Sequence, residues 1–118
     1  MPALASRKES SIAVLVWNYH DDDVAAPPAD VELVVTGVEN ARPLVEHFRV
    51  DGQHGNAYEV WKKMGSPQSP SPGQIAQLEA AARLAQLAPP ERVEARSGRV
   101  ALTFALPRQG VSLVTIAW

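Results

Sequence analysis

The sequence predicts a mainly β protein, an antiparallel β-sandwich of about six or more strands with a short helical insertion over roughly residues 56–88. Two observations place the strands. Runs of apolar, β-branched and aromatic residues occupy both ends of the chain, and turn-forming residues separate these runs. A third observation places the insertion, because only the middle of the chain spaces its apolar residues as a helix does. Strands on both sides of one helical excursion are typical of an antiparallel sandwich.

The first two strands follow from local pattern. Ile12–Tyr19 is almost purely apolar, so we expect a central strand with both faces covered. Residues 20–30 contain three consecutive Asp and a Pro-Pro pair, which favour a loop. The second strand follows from alternation, since every other residue is apolar at Val31, Leu33 and Val35.

The third predicted strand covers residues 44–51. Its apolar side is formed by Leu44, Phe48 and Val50, and its other side by Val45, His47 and Arg49. Glu46 interrupts the apolar side, so we expect an edge position or a β-bulge near it.

Two helices are predicted in the insertion. Ala57, Trp61 and Met64 share one helix face, and Gly65 ends that helix. A second helix begins with Ser71 as N-cap, Pro72 at the first position and Gln74 completing a capping box. Its apolar stripe is Ile75, Leu78, Ala82 and Ala85, and Pro89-Pro90 prevents continuation.

The last third returns to strands. Val93–Arg96 and Arg99–Leu106 flank Ser97-Gly98, which predicts a hairpin. Val111–Trp118 is the final strand, with Val114, Ile116 and Trp118 on one side.

The composition fits one globular domain and excludes several classes of function. The 118 residues are 46% hydrophobic and 20% charged, and the net charge is −2 without a basic cluster, so we expect no nucleic-acid partner. No run reaches the roughly 18 apolar residues of a membrane span, so we expect no membrane partner. The chain has no cysteine, which excludes disulfides and thiolate chemistry. No motif implies a cofactor.

We expect residues 1–11 to be a flexible N-terminal segment and residues 12–118 to be a single sandwich domain. The first 11 residues lack the apolar middle of a signal peptide. That absence says little if the chain is a fragment, so the location stays open, with the bacterial cytoplasm slightly favoured.

Two groups of residues are candidates for chemistry. His20 with Asp21, Asp22 and Asp23 is a weak candidate for a cation site, but a solvated turn is favoured because consecutive Asp side chains cannot all point inward. His47 and His54 flank Asp51, which allows general acid–base chemistry. No Ser or Cys in the sequence is recognisably placed as their nucleophile, so a structural or interface role is favoured.

Carbohydrate chemistry has no marked site either. Glycoside cleavage needs two facing carboxyl groups, and no pair of acids is singled out by the pattern. Five aromatic residues are candidates for stacking on sugar rings: Trp17, Tyr19, Tyr58, Trp61 and Trp118. Core packing is favoured for the three Trp residues, because they lie in apolar strands or on an apolar stripe.

Several specific segments then point to a family. They are Val16–Val24, Val50-Asp51, His54–Tyr58, Trp61–Gln68 and Leu106–Leu113. Together they resemble the C-terminal accessory region of bacterial β-xylosidases of glycoside hydrolase family 39, and residues 61–74 are also similar to the related α-L-iduronidases. The family pattern has serine where this chain has Gly55, and glycine caps the start of a helix less well there.

The resemblance implies a β-sandwich that packs on a (β/α)8 catalytic barrel, in a retaining β-xylosidase of xylan degradation. Two barrel Glu residues do the chemistry in that family, and neither has an equivalent here. The resemblance therefore implies no catalytic residue in this chain, no enzymatic activity of the chain alone, and a catalytic barrel as its partner.

The resemblance also bears on interfaces. In the family the sandwich can borrow a strand from before the barrel, so we expect an open sheet edge and self-association through it. By residue type, we expect the interface or active-site rim to involve His47, Asp51, His54, Asn56, Tyr58 and Trp61. The alternative function is a stand-alone carbohydrate-binding module.

Overall fold

The computed structural model describes residues 2–20 and 26–118. Within them the chain forms strands and helices in this order: β1 (Ala3–Lys8), β2 (Ser11–Trp17), β3 (Ala29–Val35), β4 (Leu44–Val50), α1 (Ala57–Lys63), α2 (Pro72–Ala81), β5 (Ala85–Gln86), β6 (Glu91–Arg92), β7 (Val100–Leu106) and β8 (Val111–Ala117). The mainly β prediction with a helical insertion is confirmed.

Two antiparallel sheets form a sandwich. The large sheet has the order β1-β2-β8-β4-β5, with β6 also paired to β4, and the small sheet is β3-β7. β8 is the centre of the large sheet, because it pairs along its whole length with β2 on one side and β4 on the other. The chain's last strand therefore joins its first and middle thirds.

The core lies between the two sheets. Alternate residues of the large sheet point toward the small sheet and are buried, and the core consists of Ile12, Val14, Val16, Val35, Val38, Val45, Val100, Leu106, Val114 and Ile116. The residues between them on the strands of the large sheet point away from the small sheet. We call that side the outer face of the large sheet.

Residues 3–8, which the sequence analysis left in a flexible segment, form strand β1. It pairs with β2 from Ala3↔Val16 to Lys8↔Ser11 through a tight turn in which Glu9 has a positive φ of 38°. All six residues are exposed. The segment lacks β-branched residues, so nothing in its own sequence indicates a strand, and its pairing is imposed by β2.

Strand β4 is not at an edge, which corrects the expectation drawn from Glu46. It pairs with β8 along its length, and on its other side with β5 and β6. The irregularity lies in the neighbouring segment, because the four residues 87–90 stand opposite only Glu46 and His47, with the N–H of Leu87 donating to the carbonyl of His47. The inward side of β4 also differs from the predicted apolar side, since Val45 and Arg49 are buried whereas Phe48 and Val50 are half-buried.

The predicted hairpin turn is present, although its first strand is shorter than expected. Ser97 and Gly98 both have positive φ, and Arg96 pairs with Arg99 across the turn. Residues 93–96 were expected to form a strand, but the ladder with β4 is limited to Glu91–Arg92. Backbone bonds from Val93 and Ala95 to the 41–43 segment take its place.

Both helices begin after a residue whose side chain caps the helix N-terminus. Asn56 caps α1 through its side chain and the N–H of Glu59, and Ser71 and Gln74 form the predicted capping box at α2. α2 ends at Ala81, so the last two positions of its predicted stripe fall outside it. Neither helix contains a buried residue. Within the described residues, neither helix is both long and apolar enough to cross a bilayer.

Candidate functional site

A charged cluster lies inside the sandwich where β4 meets β8. Arg49 is 4% exposed, and its Nε donates a 2.8 Å hydrogen bond to the hydroxyl of Ser112. Its Nη2 donates to the carbonyl of Ala105 at 3.1 Å, and its Nη1 lies 3.5 Å from a carboxylate oxygen of Asp51. A buried cation needs such a complete set of acceptors, because an unpaired charge in the interior is very costly.

His47 shares the same serine. Its Nε2 lies 2.8 Å from the Ser112 hydroxyl, and its ring packs edge-on against Phe104 at 4.6 Å between centroids. Burial and, after it, the positive charge of Arg49 together lower the pKa of His47 from 6.5 to about 4. The ring is therefore neutral at pH 7, and the Ser112 hydroxyl oxygen accepts from Arg49 while it is also hydrogen bonded to Nε2 of His47.

A serine beside a neutral histidine resembles a nucleophile and its base, which the sequence did not indicate. The environment argues against that role. Ser112 has no exposed surface, and the hydroxyl oxygen already accepts from a guanidinium. No substrate atom can reach it, so the cluster acts in the structure of the sandwich.

Asp51 fixes the turn that leaves β4. Its Oδ1 accepts hydrogen bonds from the backbone N–H groups of Gln53 and His54, and from Nδ1 of His54 at 2.8 Å. Burial by itself would raise the pKa of Asp51, but the hydrogen bonds from Gln53 and His54 outweigh it and lower the pKa. Asp51 and His54 are therefore in direct contact, and their hydrogen bonds close the turn that follows β4.

The other predicted rim residues lie just after this turn. Asn56 is the cap of α1, and Tyr58 stacks on Trp61 with 5.8 Å between ring centroids. Trp61 donates its indole N–H to the carbonyl of Pro67, whereas Tyr58 is 62% exposed. Five of the six rim candidates thus occupy one continuous segment, and only His47 lies apart, in the sandwich interior.

The segment borders an open cleft of about 340 Å³ between the Asp51 turn and the two helices, lined in part by His54, Asn56 and Glu59. The cleft holds no facing pair of carboxylates, because Glu59 is the only acid among its described lining residues. Glu59 is also engaged, since Lys62 lies 2.9 Å from one of its oxygens. Among its described lining residues, this cleft therefore lacks the two carboxyl groups that glycoside cleavage needs.

Only part of the predicted cation site lies within the described residues. Asp21, Asp22 and Asp23 lie outside the described residues. His20 is described, and its Nε2 is hydrogen bonded to the side chain of Asn18 at 2.8 Å. Among residues 2–20 and 26–118, no group of three or more His, Cys, Asp or Glu side chains is placed to hold a metal ion.

The aromatic residues do not share one face. Trp118 packs against the core, with the Arg7 guanidinium 5.3 Å from its ring centroid. Trp17 was expected in the core but lies half-buried on the outer face of the large sheet, and with Tyr19 it lines an open hollow of about 370 Å³. A sugar platform formed jointly by Trp17, Tyr58 and Trp118 would need these separate elements on one side of the molecule.

Sequence reasoning missed Arg49 and Ser112 as partners. One signal was available for Ser112, because it shares the inward side of β8 with Val114 and Ile116. A lone hydroxyl on a core-facing side must find a polar partner within the sandwich. No comparable signal existed for Arg49, since an arginine in a strand is usually directed at solvent.

Comparison with known proteins places this geometry in context. No family model matches the chain. A β-xylosidase of Geobacillus stearothermophilus is 31% identical over 110 residues, which are 93% of this chain but only 21% of that protein. The chain thus spans about a fifth of the length of this curated relative.

Solved structures agree in fold. A family 39 enzyme from Xanthomonas axonopodis pv. citri superposes with a TM-score of 0.84 at 21% identity, over 98% of this chain and 25% of that one. The chain is similar to a small accessory region of family 39 glycoside hydrolases. A monomeric β-xylosidase from Caulobacter crescentus has a TM-score of 0.77 at 20% identity, over 98% of this chain and 26% of its own. A bacterial orthologue of human α-L-iduronidase has a TM-score of 0.74 at 22% identity. The match covers 98% of this chain and 22% of that protein.

These findings confirm the family 39 resemblance that the sequence motifs indicated. The matched region is a β-sandwich of about a quarter of the solved enzymes, so most of each enzyme lies outside the part that this chain resembles.

Proposed function

We propose that this chain is a non-catalytic accessory domain of a family 39 glycoside hydrolase, and that it packs on and supports a (β/α)8 catalytic barrel. The observation that carries the proposal is the coverage of the match. Nearly all of this chain aligns with only about a fifth of a β-xylosidase, so the relative has ample polypeptide for a separate catalytic domain.

The side-chain geometry supports a non-catalytic role. Asp51, His54 and His47 are three acid–base groups near β4, and each is occupied in holding the loop or the interior. The nearest arrangement to a nucleophile and base involves Ser112, which is fully buried. Supporting a partner requires a rigid scaffold, and these contacts supply one.

We further propose that the segment from Asp51 to Trp61 contacts the rim of the barrel. The turn held by Asp51 is rigid, and the exposed ring of Tyr58 follows directly after the cap of α1. An amphipathic aromatic side chain on a fixed loop suits a protein interface. In this proposal His47 acts indirectly, by fixing the strand from which the segment emerges.

The test of the non-catalytic role is direct. The purified chain is incubated with an aryl β-xyloside, and product release is followed over the background of buffer alone. We expect no turnover. Turnover that disappears in a single Glu→Gln or Asp→Asn variant would overturn the proposal, because it would locate a catalytic carboxyl group within this chain.

The alternative is a stand-alone carbohydrate-binding module, which has one favourable observation, the exposed ring of Tyr19 beside Trp17. Titration with xylo-oligosaccharides while tryptophan fluorescence is recorded separates the two functions. A saturable shift at about millimolar sugar, the affinity expected for a weak ligand, would favour the module.

Self-association is a separate proposal. β1 is an exposed edge of the large sheet, and within the described residues the small sheet has only two strands. Unpaired strand edges can pair with another chain, although charged residues such as Arg7 and Lys8 oppose this. Light scattering over a concentration series tests it, and a constant monomer mass would exclude it.

A further inference from the structure

The outer face of the large sheet carries a block of apolar side chains. One row crosses four strands, because Leu4 pairs with Leu15, Leu15 with Leu113, and Leu113 with Phe48. The next row is Trp17, Val111 and Val50, paired in the same way. Apart from exposed Leu4, these residues are half-buried, and none packs against the core of the sandwich.

This block breaks the usual pattern of an antiparallel sheet. When one face of such a sheet meets water, its outward residues are mostly polar. The small sheet follows that rule in part, since Asp30, Glu32 and Thr103 stand on its outer side together with Val34 and two alanines. On the outer face of the large sheet, by contrast, this block consists of seven apolar residues that are neighbours across the strands.

The hollow beside Trp17 extends this apolar surface. Two of its polar side chains are already engaged, because Asn18 donates to the carbonyl of Leu106 and lies 2.8 Å from His20, and Gln109 bonds the backbone of His20. The walls that remain are the rings of Trp17 and Tyr19 together with Val111. Such a hollow suits an apolar side chain of a protein partner better than the hydroxyl groups of a sugar.

We propose that the outer face of the large sheet is the surface that docks on the catalytic barrel, with the hollow at Trp17 and Tyr19 accepting one apolar side chain from a helix on the outside of the barrel. The inference rests on the proposed function and adds a second contact surface, which adjoins the segment from Asp51 to Trp61 at Val50. A (β/α)8 barrel presents a ring of helices on its exterior, so an apolar sheet face has a suitable layer to pack against.

The size of the patch favours a covalently linked neighbour over a second copy of this chain. With strands about 4.8 Å apart and outward residues about 6.8 Å apart along each strand, the two rows cover roughly 200–300 Å². A stable interface between free proteins needs about 800 Å² from each partner. A domain in the same polypeptide needs less, since the linker holds it at an effective concentration of about millimolar.

The test uses the absence of cysteine from this chain, so that one introduced thiol reports one position. Leu113→Cys probes the outer face of the large sheet. Val34→Cys is the matched control, because Val34 is 40% exposed on the outer side of the small sheet. Each variant is made in the chain alone and in a chimera where the chain replaces the matching segment of the Geobacillus stearothermophilus β-xylosidase, with host cysteines changed to serine.

In the chimera we expect the thiol at position 113 to react at least about tenfold more slowly than in the chain alone, while the thiol at position 34 changes by less than about twofold. Circular dichroism confirms that each variant is folded. If Leu113→Cys does not fold, Leu15→Cys in the same row gives the same measurement.

Each other outcome overturns the inference in a recognisable way. A folded, xyloside-cleaving chimera in which both thiols keep their rates would reject this face but leave the proposed function intact. A chimera that does not fold, although its host and this chain each do, would reject the proposed function and the inference with it. Dimers of the chain alone that protect position 113 would make a second copy the occupant.

Discussion

At one end of the sandwich, the polarity of the two faces of strands β4 and β8 is inverted relative to a simple solvated sheet. Their inward sides carry His47, Arg49 and Ser112 at one end of the sandwich, whereas their outward sides carry Phe48 and Leu113. The polar groups are buried and mutually satisfied, and the apolar groups are half-exposed. The comparison teaches that the polarity of residues alone does not tell which face of a strand points into the sandwich, when the outward face is apolar as well.

The largest expected effect comes from removing the buried cation. Arg49→Ala leaves Asp51 and Ser112 without their partner inside the sandwich, and we expect a loss of about 3–5 kcal/mol in the free energy of unfolding. Urea denaturation measures it. Arg96→Ala is the control, because Arg96 is 83% exposed and should cost less than about 0.5 kcal/mol. Equal losses in both variants would contradict the inverted assignment of faces.

The next effect is a dependence of stability on pH. The pKa of His47 is about 4 in the folded chain, below its ordinary value of 6.5, so between these values the unfolded chain binds the extra proton. The contribution of neutral His47 to the free energy of unfolding should therefore be fully present above pH 6.5. The free energy of unfolding should fall by about 2–3 kcal/mol as the pH drops toward 4. The lowered pKa of Asp51 acts in the same direction at acidic pH.

Denaturant titrations across this range, on the natural chain and on His47→Gln, measure the dependence. Glutamine can still bond Ser112 but does not titrate, so the slope between pH 6.5 and 4 should become shallower. An unchanged slope would show that another group is responsible.

A smaller effect compares two neighbours on β8. Val114 has no exposed surface and lies in the core, whereas Leu113 is on the outer face. In the isolated chain, we expect Val114→Ala to lower the free energy of unfolding by about 2 kcal/mol and Leu113→Ala to lower it by about 0.5–1 kcal/mol. This order holds although the leucine substitution removes more atoms than the valine substitution. Thermal or urea unfolding of the pair measures the ranking. A reversed ranking would mean that the chain itself already covers its outer face.

The smallest effect on global stability is expected for a change in α2, which belongs to neither face of the β4–β8 sheet. Ser71→Ala removes the side-chain half of the capping box, at a local cost of about 1 kcal/mol. Because α2 has no buried residue, we expect faster amide exchange within residues 72–81 and almost no change in global unfolding. A global loss as large as that of Val114→Ala would show that the helix pair is integral to the sandwich.

Much of this fold follows from local pattern. The apolar run that became β2, the alternation of β3 and the Ser71 capping box each have a local physical cause, and all three were predicted. β1 was not, because its stability comes from pairing with β2 and not from its own residues. The inward side of β4 was misassigned for a related reason, since Arg49 is tolerated inside only because Ala105 and Ser112 reach it from distant strands.

The candidate site shows the same limit of local pattern. A contact between Asp51 and His54 could be expected from the sequence, because the two residues are three positions apart. Ser112 was not linked to His47, since 65 residues separate them and only the shared pairing of β4 and β8 brings them together. Docking of the outer face depends on a further polypeptide, which no local pattern describes.

The helical insertion has one consequence for how such domains diversify. Phe48 pairs with Gln86 and Arg49 with Ala85, so the insertion begins and ends on two strands that are already hydrogen bonded. It is an enlarged hairpin loop, and neither of its helices contributes a buried residue. We expect that its length and composition can be exchanged among relatives, or replaced by grafted recognition segments, while the ladder beneath it stays unchanged.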